Sequence, residues 1–422
     1  MATMTVVNAF NYLDGCLHAE QVSCEAIARE YGTPTFVYSR AGIESRYRQI
    51  ADALHGVRHR ICYAVKANSN LAVLNVLARL GAGFDIVSVG ELERVIAAGG
   101  QPSKVVFSGV GKRADEMLHA LRVGVHCFNV ESAEELDVLA ACAHDLGVRA
   151  RMSLRVNPDV DAQTHPYIST GLKHNKFGVA IEDARELYLH AARLPSLDVV
   201  GVDCHIGSQL TDPAPMMDAL ARVLALVDEL QADGVHIAHL DMGGGFGIRY
   251  RDELPSSPSV FAQMLAEGLG GRDLELVLEP GRAIVGEAGV LLTRVVYTKR
   301  NSERSFLIAD AAMNDLIRPA LYQGWHPLRR VHEASPQQSE TWDLVGPVCE
   351  SADFLALERE LPAAAGDLLA LECCGAYAFA MSSNYNARPR AAEVMVDGEQ
   401  AYVVRAREQV ADLFATENCL PE

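Results

Sequence analysis

The chain has 422 residues, too many for one ordinary compact domain and enough for a large barrel with a second domain. Its net charge of −18 argues against nucleic-acid or anionic-membrane partners, and no uncharged apolar stretch approaches the roughly 18 residues of a membrane span. The ten cysteines include no CxxC pair, which argues against zinc and redox motifs and for reduced thiols in a cytoplasmic protein.

The opening MATMTVVNAFNYLDG lacks the basic and apolar segments of a secretory signal. Residues 6–12 and 36–38 read as strands, with the turn Gly32-Thr33-Pro34 before the second. Eight short apolar runs follow, at 61–66, 83–88, 105–109, 127–130, 150–157, 199–208, 238–243 and 274–279. Each is apolar on both faces, as buried parallel strands are. Between them lie helical patterns at 71–80, 91–98, 114–121, 133–146, 181–194, 213–233 and 259–269. Eight evenly spaced units predict a (β/α)8 barrel over residues 36–286, with a doubly wound open sheet as the competing arrangement. After Gly286 the runs at 290–297, 305–310, 341–345, 367–371, 392–396 and 400–404 are strand-like, with no long helix between them. Residues 287–422, completed by 1–35, therefore read as a second, mostly β domain.

Function on a barrel sits at the C-terminal ends of its strands. There stand Lys66, Asp85, Ser88, Asn157, His205, the run Gly243-Gly244-Gly245 and Glu279. Each has an ordinary explanation by itself. A lysine closing an apolar strand is usually a paired surface group, although partial desolvation makes its amine nucleophilic. The glycines of DMGGGFG are most often a tight turn, although bare N–H groups after a strand also cradle phosphate. Glu279 and Arg282 in EPGRA read either as an ion pair or, beside the glycine run, as an anion site with a carboxylate. His205 in DCHIGSQ is ordinarily a core histidine, and with no second histidine at ligand spacing no metal is expected. Cys349 in GPVCES is one cysteine of ten, and Tyr377 in CGAYAFAM is by default a core tyrosine.

Together, YAVKAN, CHIGSQ, DMGGGFG, EPGRA, GPVCES and GAYAFAMSSNYN occur in an order and spacing that resemble the fold type III decarboxylases dependent on pyridoxal 5′-phosphate (PLP), the diaminopimelate and ornithine decarboxylase family. FDIVSVGEL, RVNPDV, HPYISTGLKHNKFG and MNDLIRPALY extend the likeness over nearly the whole chain. The resemblance implies that Lys66 links covalently to PLP and that Glu279 bonds the pyridine nitrogen. Asp85 belongs to the same cofactor site. His205 stacks on the ring, and Ser208, Gly244, Gly245, Gly281, Arg282 and Tyr377 surround the phosphate. Cys349 becomes the acid that protonates the substrate carbon after CO2 leaves, contributed across a homodimer with shared sites.

MNDLIRPALY resembles the diaminopimelate branch more than the ornithine branch. The implied reaction is conversion of meso-diaminopimelate to L-lysine and CO2. That substrate keeps one carboxylate, so a cationic clamp is needed. Arg282 and Arg318 are the candidates, with Tyr322 and Tyr377 alongside and Glu350 for the distal ammonium; an ordinary ion pair is the plainer reading of Arg318. Val89 stands where many relatives have glycine, which bears on the branch more than on the chemistry. The alternatives are a decarboxylase for lysine, ornithine, arginine or carboxynorspermidine, a PLP racemase, and a catalytically dead binding protein of decarboxylase shape. Glu279 argues against the racemase, and Lys66 with Cys349 against the dead protein. Residues 159–178, long and polar after the fifth barrel strand, read as a lid.

Overall fold

The structure, a computed structural model, describes residues 8–161, 175–333 and 337–422. The expected lid falls largely on residues 162–174, outside the described residues. The chain divides into two units, one of residues 46–249 and 253–283, the other of 1–45, 250–252 and 284–422.

Among the described residues, eight parallel strands close the first unit into a barrel. They are His59–Ala64, Gly83–Ile86, Val105–Phe107, Cys127–Val130, Ala150–Asn157, Leu197–Asp203, His239–Asp241 and Glu275–Leu278. The last pairs with the first, Val277 opposite Arg60, and this settles the choice between barrel and open sheet. A short additional strand, Val179–Ala180, pairs with the end of the fifth. The strands are short, apolar and buried almost throughout because helices cover them on the outside.

The covering helices begin where the sequence supplies caps. Asn70, Ser88, Ser132 and Ser257 each accept a backbone N–H of the first turn, satisfying a donor that the helix leaves open. Ser88 is thus committed to starting the helix Val89–Ala97. The long helix Ala214–Ala232 buries Met216, Leu220, Val223, Val227 and Leu230, the stripe that its sequence spacing announced.

The second unit is built on a sheet ordered Phe354–Leu361, Glu340–Val345, Ser305–Ala309, Gly289–Arg300, Thr35–Ser39, Ala392–Asp397 and Gln400–Arg405. Thr35–Ser39 is buried at every position and lies between Gly289–Arg300 and Ala392–Asp397. Leu368–Leu371 and Leu328–Arg330 extend the sheet from Gly289–Arg300. Ile27, Val37, Val290, Leu292, Val331, Ala370, Val394 and Val396 share one core. The strand Phe354–Leu361 and the helix Cys24–Tyr31 were not anticipated. The first is interrupted by Glu358, Arg359 and Glu360, which break a simple alternation, and the second is only eight residues long.

Candidate functional site

Lys66 sits in the 3-10 turn Val65–Ala67, just past the first barrel strand. Its Nζ donates to Asp85 Oδ2 at 2.7 Å; the carboxylate is fully buried and the lysine partly exposed. The short second strand holds Asp85 rigidly, so the ion pair aims the amine as well as balancing its charge.

Side chains on a strand alternate in direction, and three further acids come together from the sixth, seventh and eighth strands. One carboxylate oxygen each of Asp203, Asp241 and Glu279 lies within 4.8 Å of the other two, and all three residues are buried. Asp85 Oδ1, Asp203 Oδ1, Asp241 Oδ2 and Glu279 Oε1 are buried without a hydrogen-bond partner. Burial, then the charges of Asp241, Asp85 and Asp203, push the Glu279 carboxyl well above the ordinary range. Burial and Asp241 do the same to Asp203. Burial raises Asp241 to about 7, against the pull of a 2.9 Å hydrogen bond from Gly243 N to its Oδ1. Arg155 on the fifth strand is the buried counter-charge, 3.5 Å from Glu131. Burial opposes its charge, but Glu131, Asp203 and Glu279 outweigh burial and hold the guanidinium above its usual value.

His205 follows the sixth strand. Burial, then Arg155 and Lys66, push its imidazole well below the usual value, so the ring is neutral. Gly244 N donates to its Nδ1 at 3.3 Å, which leaves the ring proton on Nε2. The glycines are required by close approach. A Cβ on Gly243, whose φ is +64°, would stand 2.4 Å from His205 Nδ1, and one on Gly244 would stand 2.1 Å from the Glu279 carbonyl oxygen. Leu210 N donates to Gly245 O and Gly247 N to Leu210 O, both at 2.8 Å, lacing the loop after His205 to the glycine run. On that loop Ser208 Oγ accepts from Arg282 Nη2 at 3.2 Å. Gly281 lies against Ala64 and Ala67, beside Lys66. The structure therefore gathers Lys66, Asp85, His205, Ser208, Gly244, Gly245, Glu279, Gly281 and Arg282 at one end of the barrel.

The remaining expected residues belong to the β unit. Arg318 opens the helix Arg318–Tyr322 and is buried, and Tyr322 closes it, half-buried. Arg318 Nη1 donates to His326 Nε2 at 2.8 Å, and its guanidinium lies 4.6 Å over the Tyr250 ring. No carboxylate pairs with it among the described residues, so the ordinary ion pair is not what the fold makes of Arg318. Cys349 and Glu350 stand exposed on one turn. Asn386 Oδ1 accepts from Cys349 N at 2.9 Å, and Glu350 Oε2 accepts from Tyr385 OH at 2.9 Å. Asp353 accepts from Met313 N and Val348 N, both at 2.7 Å, tying that turn to the MNDL segment. Tyr377 is half-buried with φ +55°.

Sequence reasoning missed Arg155, Asp203, Asp241 and His326. A signal existed for three of them. Arg155 precedes Asn157 by two residues and Asp203 precedes His205 by two, so each shares a strand face with a residue already singled out. Asp241 directly precedes the glycine-rich turn.

Residues 40–286 match the family described as pyridoxal-dependent decarboxylase, pyridoxal binding domain. The chain is 62% identical over 418 residues to a diaminopimelate decarboxylase of Pseudomonas aeruginosa, covering 99% of this chain and 100% of that one. Among solved structures, it resembles diaminopimelate decarboxylase from M. jannaschii in complex with L-lysine, with a TM-score of 0.94 and 35% identity over 99% of both chains. The enzyme of Helicobacter pylori, also complexed with L-lysine, matches with a TM-score of 0.90 and 42% identity over 93% of this chain and 98% of that one.

Proposed function

The chain belongs to the pyridoxal-dependent decarboxylases, within their diaminopimelate decarboxylase branch, and we propose that it removes CO2 from meso-diaminopimelate to leave L-lysine. The observation that carries the reading is Glu279. It is a buried carboxyl with an unpartnered oxygen, in a barrel centre that also holds Lys66. Such a group is costly unless a cation meets it, and the protonated nitrogen of PLP is a cation of the right kind. The neutral His205 ring offers a flat face, and Ser208, Gly244, Gly245, Gly281 and Arg282 offer donors for a phosphate.

When bound, PLP supplies the electron sink for the charge left on the substrate carbon as CO2 departs. Lys66 provides the amine that links to the cofactor, and Asp85 holds that amine in place. Glu279 keeps the ring nitrogen protonated. His205, uncharged, packs without adding a competing positive charge. Arg318, with Tyr322 and Tyr377, holds the carboxylate that the product retains, and Glu350 takes the ammonium beside it. The partner subunit's Cys349 delivers the proton that replaces CO2, so the active form is a homodimer in the cytoplasm. No described helix is long and apolar enough to cross a membrane.

The test is CO2 release from meso-diaminopimelate, lysine, ornithine and arginine, with chiral analysis of the product. Diaminopimelate alone should turn over rapidly and yield L-lysine. Equal or faster turnover of lysine rejects the reading.

A further inference from the structure

We propose that His326 is a positioning residue for substrate choice, holding Arg318 in the orientation that receives the carboxylate of the unreacted end. The inference rests on the role given to Arg318 above and adds what keeps that side chain ready.

His326 is fully buried; Cys374 Sγ lies 3.6 Å from its Nδ1, and two nearer partners fix its proton. Its Nδ1 faces the Glu372 carbonyl oxygen at 2.8 Å, which can only accept, so Nδ1 carries the hydrogen. Its Nε2 faces Arg318 Nη1 at 2.8 Å, which can only donate, so Nε2 presents its lone pair. The imidazole is therefore neutral and held in one tautomer. Tyr250 adds a second constraint. Its ring lies under the Arg318 guanidinium at 4.6 Å and meets the His326 ring edge-on at 5.4 Å. Arg359 Nη2 donates to the His326 carbonyl oxygen at 3.2 Å, fixing the backbone behind the imidazole. The Arg318 backbone is tied as well, since its carbonyl oxygen accepts from Gly324 N at 3.1 Å.

These partners share one property: none carries negative charge. An aspartate in place of His326 would hold Arg318 just as firmly and would compete with an incoming carboxylate. A neutral acceptor orients the guanidinium and leaves its charge for a ligand. A buried arginine held by an imidazole and an aromatic face is thus prepared for an anion, and in this reading the anion is the substrate's second carboxylate.

The experiment uses the full-length enzyme loaded with cofactor and compares wild type, His326→Phe, His326→Gln and Arg318→Met. Three ligands report: meso-diaminopimelate through KM and kcat, and L-lysine and pentane-1,5-diamine as competitive inhibitors. The diamine has no carboxylate. His326→Phe keeps a ring but loses the acceptor, so KM for diaminopimelate and Ki for lysine should rise together by roughly 10- to 100-fold, as for one hydrogen bond to a charged group. Its kcat should stay within about twofold, because the interaction is lost equally in ground and transition states. Ki for the diamine should not move, and Gln, which restores an acceptor, should recover most of the loss. If lysine and the diamine weaken in step, or neither changes in a folded His326→Phe, the positioning role is overturned. Should His326→Phe fail to fold, Tyr250→Leu carries the same test through the other face of the guanidinium. Arg318→Met separates the two ideas. If it raises KM while His326→Phe does not, only the present proposal fails; if Arg318→Met leaves KM unchanged, the reading of Arg318 fails with it.

Discussion

The barrel centre buries more acid than base. Asp85, Asp203, Asp241, Glu279 and Glu131 are set against Lys66 and Arg155. The β unit shows the opposite at Arg318, a buried cation whose described partners are an imidazole and an aromatic ring. Neither imbalance helps folding, because a buried charge without its opposite costs several kcal/mol. Such costs persist where a ligand brings the missing charge, which is why perturbed groups gather at functional sites. On the proposed function, the difference between the regions matches what each would receive: a cation beside Glu279, an anion beside Arg318.

The comparison breaks most completely at Lys66. Lys66→Ala should reduce turnover to background and abolish the imine absorption band, and borohydride treatment of wild type should place the label on Lys66 alone. A label mapped to another lysine would show that the acids of the barrel centre serve something else. Next in size is Glu279→Gln. It should retain the cofactor but lose roughly 10²–10³-fold in kcat, the effect of removing one aimed electrostatic group. Full activity would make Glu279 a purely structural acid. A smaller effect separates the units by subunit. Lys66→Ala and Cys349→Ala should each be inactive, and random exchange makes half the dimers mixed, each with one intact site of two. Activity should then return to about one quarter of wild type, from ½ × ½. Mixed dimers confirmed by mass spectrometry but still inactive would put Cys349 to work within its own chain.

The barrel was legible because its strands are covered on both faces, so that burial writes a continuous apolar run such as Val105–Phe107 or residues 276–278. The helices were legible from their caps and stripes. The β unit was less so. Thr35–Ser39 lies between Gly289–Arg300 and Ala392–Asp397, and pairing across more than 250 positions leaves no local trace. Among the candidate site residues, those with a distinctive neighbourhood, Lys66 in YAVKAN or Glu279 in EPGRA, could be singled out from the sequence. Asp203 and Arg155 were passed over, although each stands two residues before one that was singled out, because a polar residue within a strand looks the same whether it is satisfied or stranded. Only the fold shows that the carboxyls of Asp203, Asp241 and Glu279 meet. His326 was invisible for another reason: its meaning depends on the Glu372 carbonyl and on Arg318, eight residues away, meeting its two nitrogens.

The smallest expected effect concerns the cost of the acid surplus and is read as stability. Glu91 lies at the start of the helix Val89–Ala97, and its Oε2 accepts from Val87 N at 2.7 Å. Burial raises its carboxyl from 4.5 to about 7, with Asp85 adding to the rise while the Val87 N–H and Lys66 oppose it. A carboxyl whose folded pKa lies above its unfolded value binds more proton when folded, so stability falls as pH rises. The loss begins near 4.5 and is complete just above about 7. That gap corresponds to about 3 kcal/mol at most. Glu91→Gln keeps the oxygen that accepts from Val87 N and removes the charge, at the cost of burying an amide. A net gain of about 1–2 kcal/mol at pH 8.5 should raise Tm by roughly 1–2 °C for a chain of this size, and the advantage should vanish at pH 4.5. Paired thermal scans of wild type and variant at the two pH values, at equal cofactor loading, decide the matter. The same Tm difference at both would mean that the Glu91 charge costs the fold nothing, and that the acids around Lys66 are balanced more locally than their burial implies.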